Sequence, residues 1–176
     1  MDGEEPSASP HRLEPARLGD HVDRLFRAAW ALCGRREDAE DLVQETYALV
    51  LAKPRWLRRD DLGYLLRVLR NTHVSRLRAG GRRPVEVPLE DQAELPDDHP
   101  SWDPEAAIEA RELFAAIARL PAPFREALVA VDVAGLSYGE AGVALGVRES
   151  TITTRLHRAR MRVAADLARS SEANRV

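Results

Sequence analysis

Three carboxylates in the first third of the chain have a spacing suited to metal or charge chemistry. Asp38, Asp41 and Glu45 lie three and four residues apart, which places them on one face of a helix. Carboxylates in this arrangement can hold a hard cation, and such a cation could support hydrolysis of nucleic acid. The alternative is an acidic face in solvent. Because no histidine shares the face to complete a transition-metal site, we expect no metal there.

The number of cysteines and the lack of long apolar runs limit which kinds of site and which cellular location the sequence allows. Cys33 is the single cysteine among 176 residues, so an intramolecular disulfide is excluded and a cysteine-built zinc site is implausible. We expect Cys33 to be a small buried side chain in a reducing compartment. No apolar run approaches the ~20 residues of a membrane span, and the acidic start is unlike a signal peptide. These features predict a soluble, cytoplasmic protein with no membrane insertion and no cofactor.

Polar and glycine residues near the C-terminus have the order of a helix-turn-helix. Ser137 can cap a short helix while Glu140 reaches back in a capping box, and Gly146 can supply the left-handed residue that ends this helix. In the helix that follows, apolar residues recur at spacings of three and four and form one buried stripe. This stripe consists of Ile152, Leu156, Ala159 and Val163.

The opposite face of that second helix is polar and basic. It carries Arg148, Ser150, Thr151, Thr154, Arg155 and Arg158. In a helix-turn-helix the first residues of the second helix reach base edges in the major groove, while arginines farther along meet phosphates. DNA is therefore the predicted partner of this face. An αα-hairpin with a solvated basic face is the alternative.

The distribution of charge agrees with a nucleic-acid partner although the net charge is -3. Residues 53–83 carry +8 (ten basic, two acidic) and residues 135–176 carry +3 (seven basic, four acidic). Between them, residues 84–104 carry seven acids and no basic residue. Phosphate neutralisation is local, so the two basic blocks remain available to nucleic acid.

Apolar periodicity predicts an all-α fold without strands. The predicted helices span residues 18–32, 36–52, 62–78, 104–120, 123–133, 137–145 and 149–168. The prolines and acids of residues 84–104 favour an extended, flexible linker over a packed core. The predicted organisation is a disordered tail at 1–17, a helical domain at 18–83, the acidic linker at 84–104, a helix-turn-helix domain at 105–170 and a C-terminal tail at 171–176.

The whole pattern resembles the extracytoplasmic-function sigma factors of bacterial RNA polymerase. The resemblance rests on residues 36–47 of the second helix, residues 65–71 with Arg78 of the third, Leu120-Pro121, residues 135–138, Thr151 and residues 155–160. It covers roughly residues 18–168. It implies two small helical domains, a region 2 bundle of three to four helices and a region 4 helix-turn-helix.

The resemblance also implies a role for the acid-rich second helix. In this family the helix docks on the clamp coiled coil of the largest polymerase subunit. The implied core-polymerase contacts in this chain are Asp38, Asp41, Leu42, Gln44 and Glu45.

The resemblance further implies that the third helix and the loop before it bind the downstream promoter element, which melts. Arg67, Arg70 and Arg78 can then follow phosphates, and Asn71 can contact a base edge. The Trp56 ring can stack on a base that has left the duplex, and Tyr64 is a second aromatic candidate for this role. Core packing is the alternative for both aromatic residues, and a hydrogen bond within its own domain is the alternative for Asn71.

Some positions depart from the family pattern. Ser75 stands where an aspartate is common, Tyr64 where a tryptophan is frequent, and Thr153 where a lysine is common. Glu149 further lowers the positive charge of the recognition helix. Because of these departures, the base sequence of the upstream promoter element is not predicted. The way in which the recognition helix docks on DNA is expected to be that of the family.

The predicted function is that of a sigma factor, which bridges partners and carries out no enzymatic reaction. Its partners would be core RNA polymerase, promoter DNA and an anti-sigma factor, the last implied by the resemblance alone. A stand-alone helix-turn-helix regulator that binds operators without polymerase is the alternative. A metal-dependent nuclease using the carboxylate cluster is a third hypothesis, which no phosphate loop or histidine-metal motif supports.

Overall fold

The computed structural model describes residues 11–53, 56–57, 61–80 and 104–173, and within these ranges it is almost entirely helical. The helices are α1 (Val22–Cys33), α2 (Arg36–Ala52), α3 (Asp61–Ala79), α4 (Pro104–Ala118), α5 (Ala122–Leu128), α6 (Tyr138–Leu145) and α7 (Glu149–Ala173). A 3₁₀ helix (Pro15–His21) precedes α1, and a π-helix (Val129–Val133) follows α5. Two short strands are present, β1 (His11–Arg12) and β2 (Trp56–Leu57). The all-α fold class is confirmed, whereas the expectation of no strands is wrong for β1 and β2, which are too short to show alternation. None of the helices in the described ranges is long and apolar enough to span a bilayer.

The first three helices form the amino-terminal module, which contains β1 to α3. Helix α2 has the bounds predicted from the sequence, and α1 ends at Gly34, whose φ of 78° provides the left-handed cap. The N–H of Gly34 donates to the carbonyl of Trp30 at 2.7 Å. The three helices enclose leucines with no exposed surface, which are Leu25, Leu42, Leu65 and Leu69.

The prediction that residues 1–17 are disordered is wrong for residues 11–17. Strand β1 pairs antiparallel with β2, and the 3₁₀ helix leads directly into α1. Leu13 and Leu18 are both buried, so the segment contributes apolar surface to the core. The polar, proline-containing composition did not indicate that Leu13 is buried, whereas Leu18 was already expected to belong to a helix. The remainder of the predicted tail, residues 1–10, lies outside the described residues.

Helices α4 to α7 form the carboxy-terminal module. The helix predicted at 123–133 divides into α5 and the π-helix, where the N–H of Ala134 donates to the carbonyl of Val129 at 2.9 Å. Asp132 in the π-helix accepts two hydrogen bonds from Arg160 of α7, at 2.7 Å from Nη2 and 2.9 Å from Nε. This bidentate pair connects the π-helix to the long final helix.

The two modules pack against each other and share one continuous apolar core. Trp30 of α1 stacks on Phe114 of α4, with ring centroids 5.1 Å apart and an interplanar angle of 16°. Helix α3 also contacts α6. The predicted acidic linker, except for its last residue, Pro104, lies outside the described residues.

Candidate nucleic-acid and protein interfaces

The turn between α6 and α7 has the local structure that the sequence predicts. The hydroxyl of Ser137 accepts from the N–H of Glu140 at 3.3 Å, and the N–H of Ser137 donates to Oε2 of Glu140 at 2.8 Å. This is the predicted capping box, and it starts α6. Gly146 then has a φ of 68° and ends the helix.

Gly142 is a structural residue that the sequence analysis did not single out. A Cβ at this position would lie 2.9 Å from the carbonyl oxygen of Val147 and 3.5 Å from the backbone nitrogen of Glu149. The N–H of Val147 also donates to the carbonyl of Gly142 at 2.9 Å. The backbone of the turn therefore needs a residue without a side chain here. A glycine four residues before the helix-ending glycine was the available signal.

We expect Gly142→Ala to lower the free energy of unfolding by about 1–3 kcal/mol, since the backbone atoms near the new methyl group cannot rotate away. The matched control is Gly139→Ala on the same helix, where the nearest atom would be Oε2 of Glu149 at an ordinary 3.7 Å. That control should be neutral or slightly stabilising, because alanine is favoured over glycine in helices. Urea unfolding of both variants measures the difference. Equal stability of the two variants would contradict the packing argument.

Helix α7 presents the two faces predicted for it. The stripe of Ile152, Leu156, Ala159 and Val163 is buried. On the other face, Ser150, Thr154 and Arg158 are exposed, as is Arg148 directly before the helix, while Thr151 and Arg155 are half-buried. The structure therefore brings all six predicted residues to one accessible surface.

Cations elsewhere on α7 have structural partners. Besides Arg160, the guanidinium of Arg162 lies 4.3 Å from the ring centroid of Phe124, and Nη2 of Arg169 donates to Oδ1 of Asp166 at 2.9 Å. By contrast, neither Arg155 nor Arg158 forms an ion pair with any residue that the structure describes. Their charges are consequently available to an external partner.

Helix α3 presents a second basic surface. Arg67, Asn71 and Arg78 are exposed along it, as predicted. Arg70 differs, because its Nε lies 2.9 Å from Oε2 of Glu126 in α5, and the Glu126 side chain is only 10% exposed. No local pattern indicates this contact, because it joins positions far apart in the chain.

The two aromatic candidates near α3 have different environments. Trp56 in β2 is 73% exposed, an unusual position for a large apolar ring. Tyr64 is half-buried and packs against the core. Core packing therefore accounts for Tyr64 and does not account for Trp56.

The predicted acidic surface on α2 is present with one correction. Asp38, Asp41, Gln44 and Glu45 are exposed, whereas Leu42 has no exposed surface. The prediction that Leu42 contacts a partner is wrong for this structure, because its side chain fills the module core. In the described ranges no cluster of three or more possible ligands could hold a metal ion.

Glu45 also has a partner within the module. Nε of Arg76 in α3 donates to Oε2 of Glu45 at 2.6 Å, and Nη2 of Arg76 donates to the carbonyl oxygen of Asp41 at 3.0 Å. Arg76 thus ties α3 to α2. The carboxylates of Asp38 and Asp41 form no ion pair with any residue in the described ranges, so they are the charges open to a partner.

Half-buried Cys33 and buried His73 form a polar contact that the sequence analysis missed. Sγ of Cys33 lies 3.6 Å from Nδ1 of His73. Burial raises the pKa of the Cys33 thiol to about 12 and lowers the pKa of His73 to about 4. At neutral pH both groups are uncharged, whereas a reactive cysteine is a thiolate beside a cation. The pair is a packing contact, in agreement with the structural role expected of Cys33.

Comparisons with known proteins agree on one family. The model for sigma-70 region 2 matches residues 18–83, and the model for sigma-70 region 4 matches residues 110–163. The ECF RNA polymerase sigma factor SigE of Mycolicibacterium smegmatis is 36% identical over 156 residues, covering 86% of this chain. The chain spans 60% of the length of that relative. The ECF sigma factor EcfG of Rhodopseudomonas palustris is 34% identical over 154 residues, covering 82% of this chain and 79% of EcfG.

Solved structures show the same similarity. The sigma factor RpoE of Bartonella quintana, crystallised with the anti-sigma factor NepR, matches with a TM-score of 0.66 and 27% identity. This match covers 88% of this chain and 98% of RpoE. The extracytoplasmic-function sigma factor SigJ of Mycobacterium tuberculosis matches with a TM-score of 0.59 and 25% identity, covering 86% of this chain and 54% of SigJ.

Proposed function

The chain belongs to the extracytoplasmic-function sigma factors, and on that premise we propose that it binds core RNA polymerase and directs it to a specific set of promoters. The observation that carries the proposal is the presence of two separate exposed surfaces suited to DNA, one on α7 and one on α3 with Trp56. A simple operator-binding protein needs only the first. The proposed function is one of binding, and it would require the protein to be in the cytoplasm with the polymerase.

The α7 surface would bind the upstream promoter element as duplex DNA. Ser150, Thr151 and Thr154 lie in the first half of the helix, where a helix-turn-helix reaches base edges. Arg155 and Arg158 follow, and neither has an ion-pair partner in the part of the chain that the structure describes. The short polar groups can read base edges directly, and the arginines can read guanine or hold phosphates.

The α3 surface would bind the downstream element after it opens. Arg67 and Arg78 can follow the phosphates of one strand, and Asn71 can contact a base edge. The exposed ring of Trp56 can stack a base that has left the duplex, which recovers about 1–3 kcal/mol of stacking energy. This combination of a basic helix and an exposed aromatic ring is suited to single-stranded DNA.

The α2 surface would bind the polymerase. Asp38, Asp41 and Gln44 are exposed on it, and it faces away from the leucine core. An exposed carboxylate pair of this kind complements a basic protein patch. We propose that an anti-sigma factor regulates the chain, as a factor of this kind accompanies RpoE of Bartonella quintana in its crystal structure.

The contact between Arg70 and Glu126 implies that the free chain must rearrange before Arg70 can bind DNA. We expect Glu126→Gln to raise the affinity of the free chain for a single-stranded downstream-element oligonucleotide roughly fivefold, since a half-buried ion pair is worth about 1 kcal/mol. Fluorescence anisotropy measures the dissociation constant. The matched control is Glu112→Gln, which changes an exposed acid on α4 by the same charge. Equal affinities for the two variants would contradict a restraining role for Glu126.

A gel-shift experiment with and without core polymerase tests the proposed function. The full chain should form a promoter-specific complex only when core enzyme is present. Tight and specific duplex binding by the chain alone, unchanged by core enzyme, would instead identify a stand-alone helix-turn-helix regulator. Cleavage of the DNA in the presence of Mg²⁺ would identify a nuclease.

A further inference from the structure

The short segment of residues 11–18, which we call the amino-terminal brace, contacts the strand that carries Trp56. Strand β1 pairs antiparallel with β2, with His11 opposite Leu57 and Arg12 opposite Trp56. Successive side chains of a strand point to opposite sides. Accordingly Leu57 is buried, while Trp56 is exposed. When β1 pairs with β2, the Trp56 ring therefore lies on the exposed side of the strand.

The brace is also joined to the start of α3. The side chain of Asp61, the first residue of α3, is only 3% exposed. Its Oδ1 lies 2.6 Å from Nε2 of His11, and its Oδ2 lies 3.6 Å from Nη1 of Arg17. A buried carboxylate needs such partners, because an unpaired charge is costly in the interior. One buried group thus links the brace to the helix that carries Arg67 and Asn71.

The far end of the brace is anchored in the module core. Leu13 and Leu18 are buried, and the hydroxyl of Tyr47 in α2 donates to the carbonyl oxygen of Leu18 at 3.0 Å. The brace therefore has fixed points on α2, on α3 and on β2. A pair of two-residue strands is too short to persist without such anchors.

We propose that the brace is a positioning element for promoter opening, with His11 as its positioning residue. It holds Trp56 at a set distance from the basic face of α3, so that the ring is in place before a base leaves the duplex. Without the brace, the Trp56 segment would have to be ordered at the moment of base capture. The inference rests on the proposed function, in which Trp56 receives that base. Most of the brace, residues 11–17, precedes the region 2 match, which begins at residue 18.

A double-mutant cycle on opening kinetics tests the inference. Holoenzymes would be assembled with the full chain as wild type, His11→Ala, Trp56→Ala and the double variant. A promoter with 2-aminopurine in the downstream element reports the opening rate by fluorescence. We expect His11→Ala to slow opening about three- to tenfold and Trp56→Ala to slow it at least as much. The double variant should be no slower than Trp56→Ala, because His11 acts through the ring.

Controls separate positioning from general stability. His11→Gln retains an N–H donor for Asp61 and should restore most of the rate, while Asp20→Ala, an exposed acid beyond the brace, should leave it unchanged. On a template already mismatched at the downstream element, His11→Ala should initiate at nearly the wild-type rate. Arg17 remains as a partner of Asp61 in His11→Ala, and the thermal midpoint checks that this variant stays folded.

Three outcomes would overturn the inference. Opening by His11→Ala at the wild-type rate would show that the brace is dispensable. Multiplicative effects in the double variant would show that His11 acts independently of Trp56. An unchanged opening rate in Trp56→Ala would show that the ring plays no part in promoter opening, while promoter recognition would be unaffected. Failure of the wild-type holoenzyme to open any promoter would instead refute the proposed function itself.

Discussion

Replacing Arg155 with alanine is expected to weaken binding to the upstream promoter element roughly 5- to 150-fold, because a specific base contact is worth about 1–3 kcal/mol. Arg155 lies on α7 in a shallow groove that Gly142, Val147 and Thr151 also line. It has no ion-pair partner among the described residues, so its guanidinium is available to DNA. Gel shift with holoenzyme on an upstream-element duplex measures the change.

The control for this variant is Arg169→Ala, which removes the same charge from α7. Arg169 lies near the end of the helix, is 73% exposed and pairs with Asp166. Its removal should change DNA affinity by less than about twofold, since exposed ion pairs contribute little. Polymerase association should stay unchanged in both variants. Equal loss of polymerase and DNA binding in Arg155→Ala would mean that Arg155 supports the fold.

Replacing Asp41 with alanine is expected to weaken polymerase binding and to leave DNA recognition intact. The expected loss is about 30-fold or more in affinity for core polymerase. Truncating one partner of a buried interfacial charge pair costs about 2 kcal/mol or more. The Asp41 carboxylate is exposed, and the carbonyl oxygen that accepts from Arg76 belongs to the backbone and remains. Holoenzyme assembly followed by anisotropy of the labelled chain measures the affinity.

The control is Glu40→Ala on the same helix. Glu40 pairs with Arg36 at 2.9 Å, so its charge is already matched within α2 and its loss should affect assembly much less than the loss of Asp41. Upstream-element recognition should also survive in any Asp41→Ala holoenzyme that forms. Unchanged holoenzyme assembly in Asp41→Ala would show that α2 does not contact the polymerase through this surface.

Local signals explain the features that the sequence predicted well. The bounds of α2, the capping box of Ser137 and the left-handed glycines at 34 and 146 each depend on residues a few positions apart. The buried stripe of α7 follows from helical periodicity alone. The exposed face of α7 then follows because a helix that buries one side must present the other.

Contacts between distant positions explain what was missed. Strand β1 and strand β2 have two residues each, too few to show alternation, and their pairing joins positions about 45 residues apart. Likewise, Trp30 and Phe114 have the pattern of core residues within their own modules, although their rings stack across the interface. No periodicity in a single sequence encodes such pairings. Leu42 is a different case, because helical periodicity already places it on the inward side of α2, and it was included among the exposed contacts only because of its neighbours.

Run-off transcription with purified core RNA polymerase tests the central claim most directly. The full chain would be added to core enzyme on fragments that together cover the genome of its source. If the chain directs initiation, transcripts should begin at a small set of defined positions and should disappear when the chain is omitted. Absence of chain-dependent start sites on every fragment, with a core enzyme that elongates normally, would contradict it.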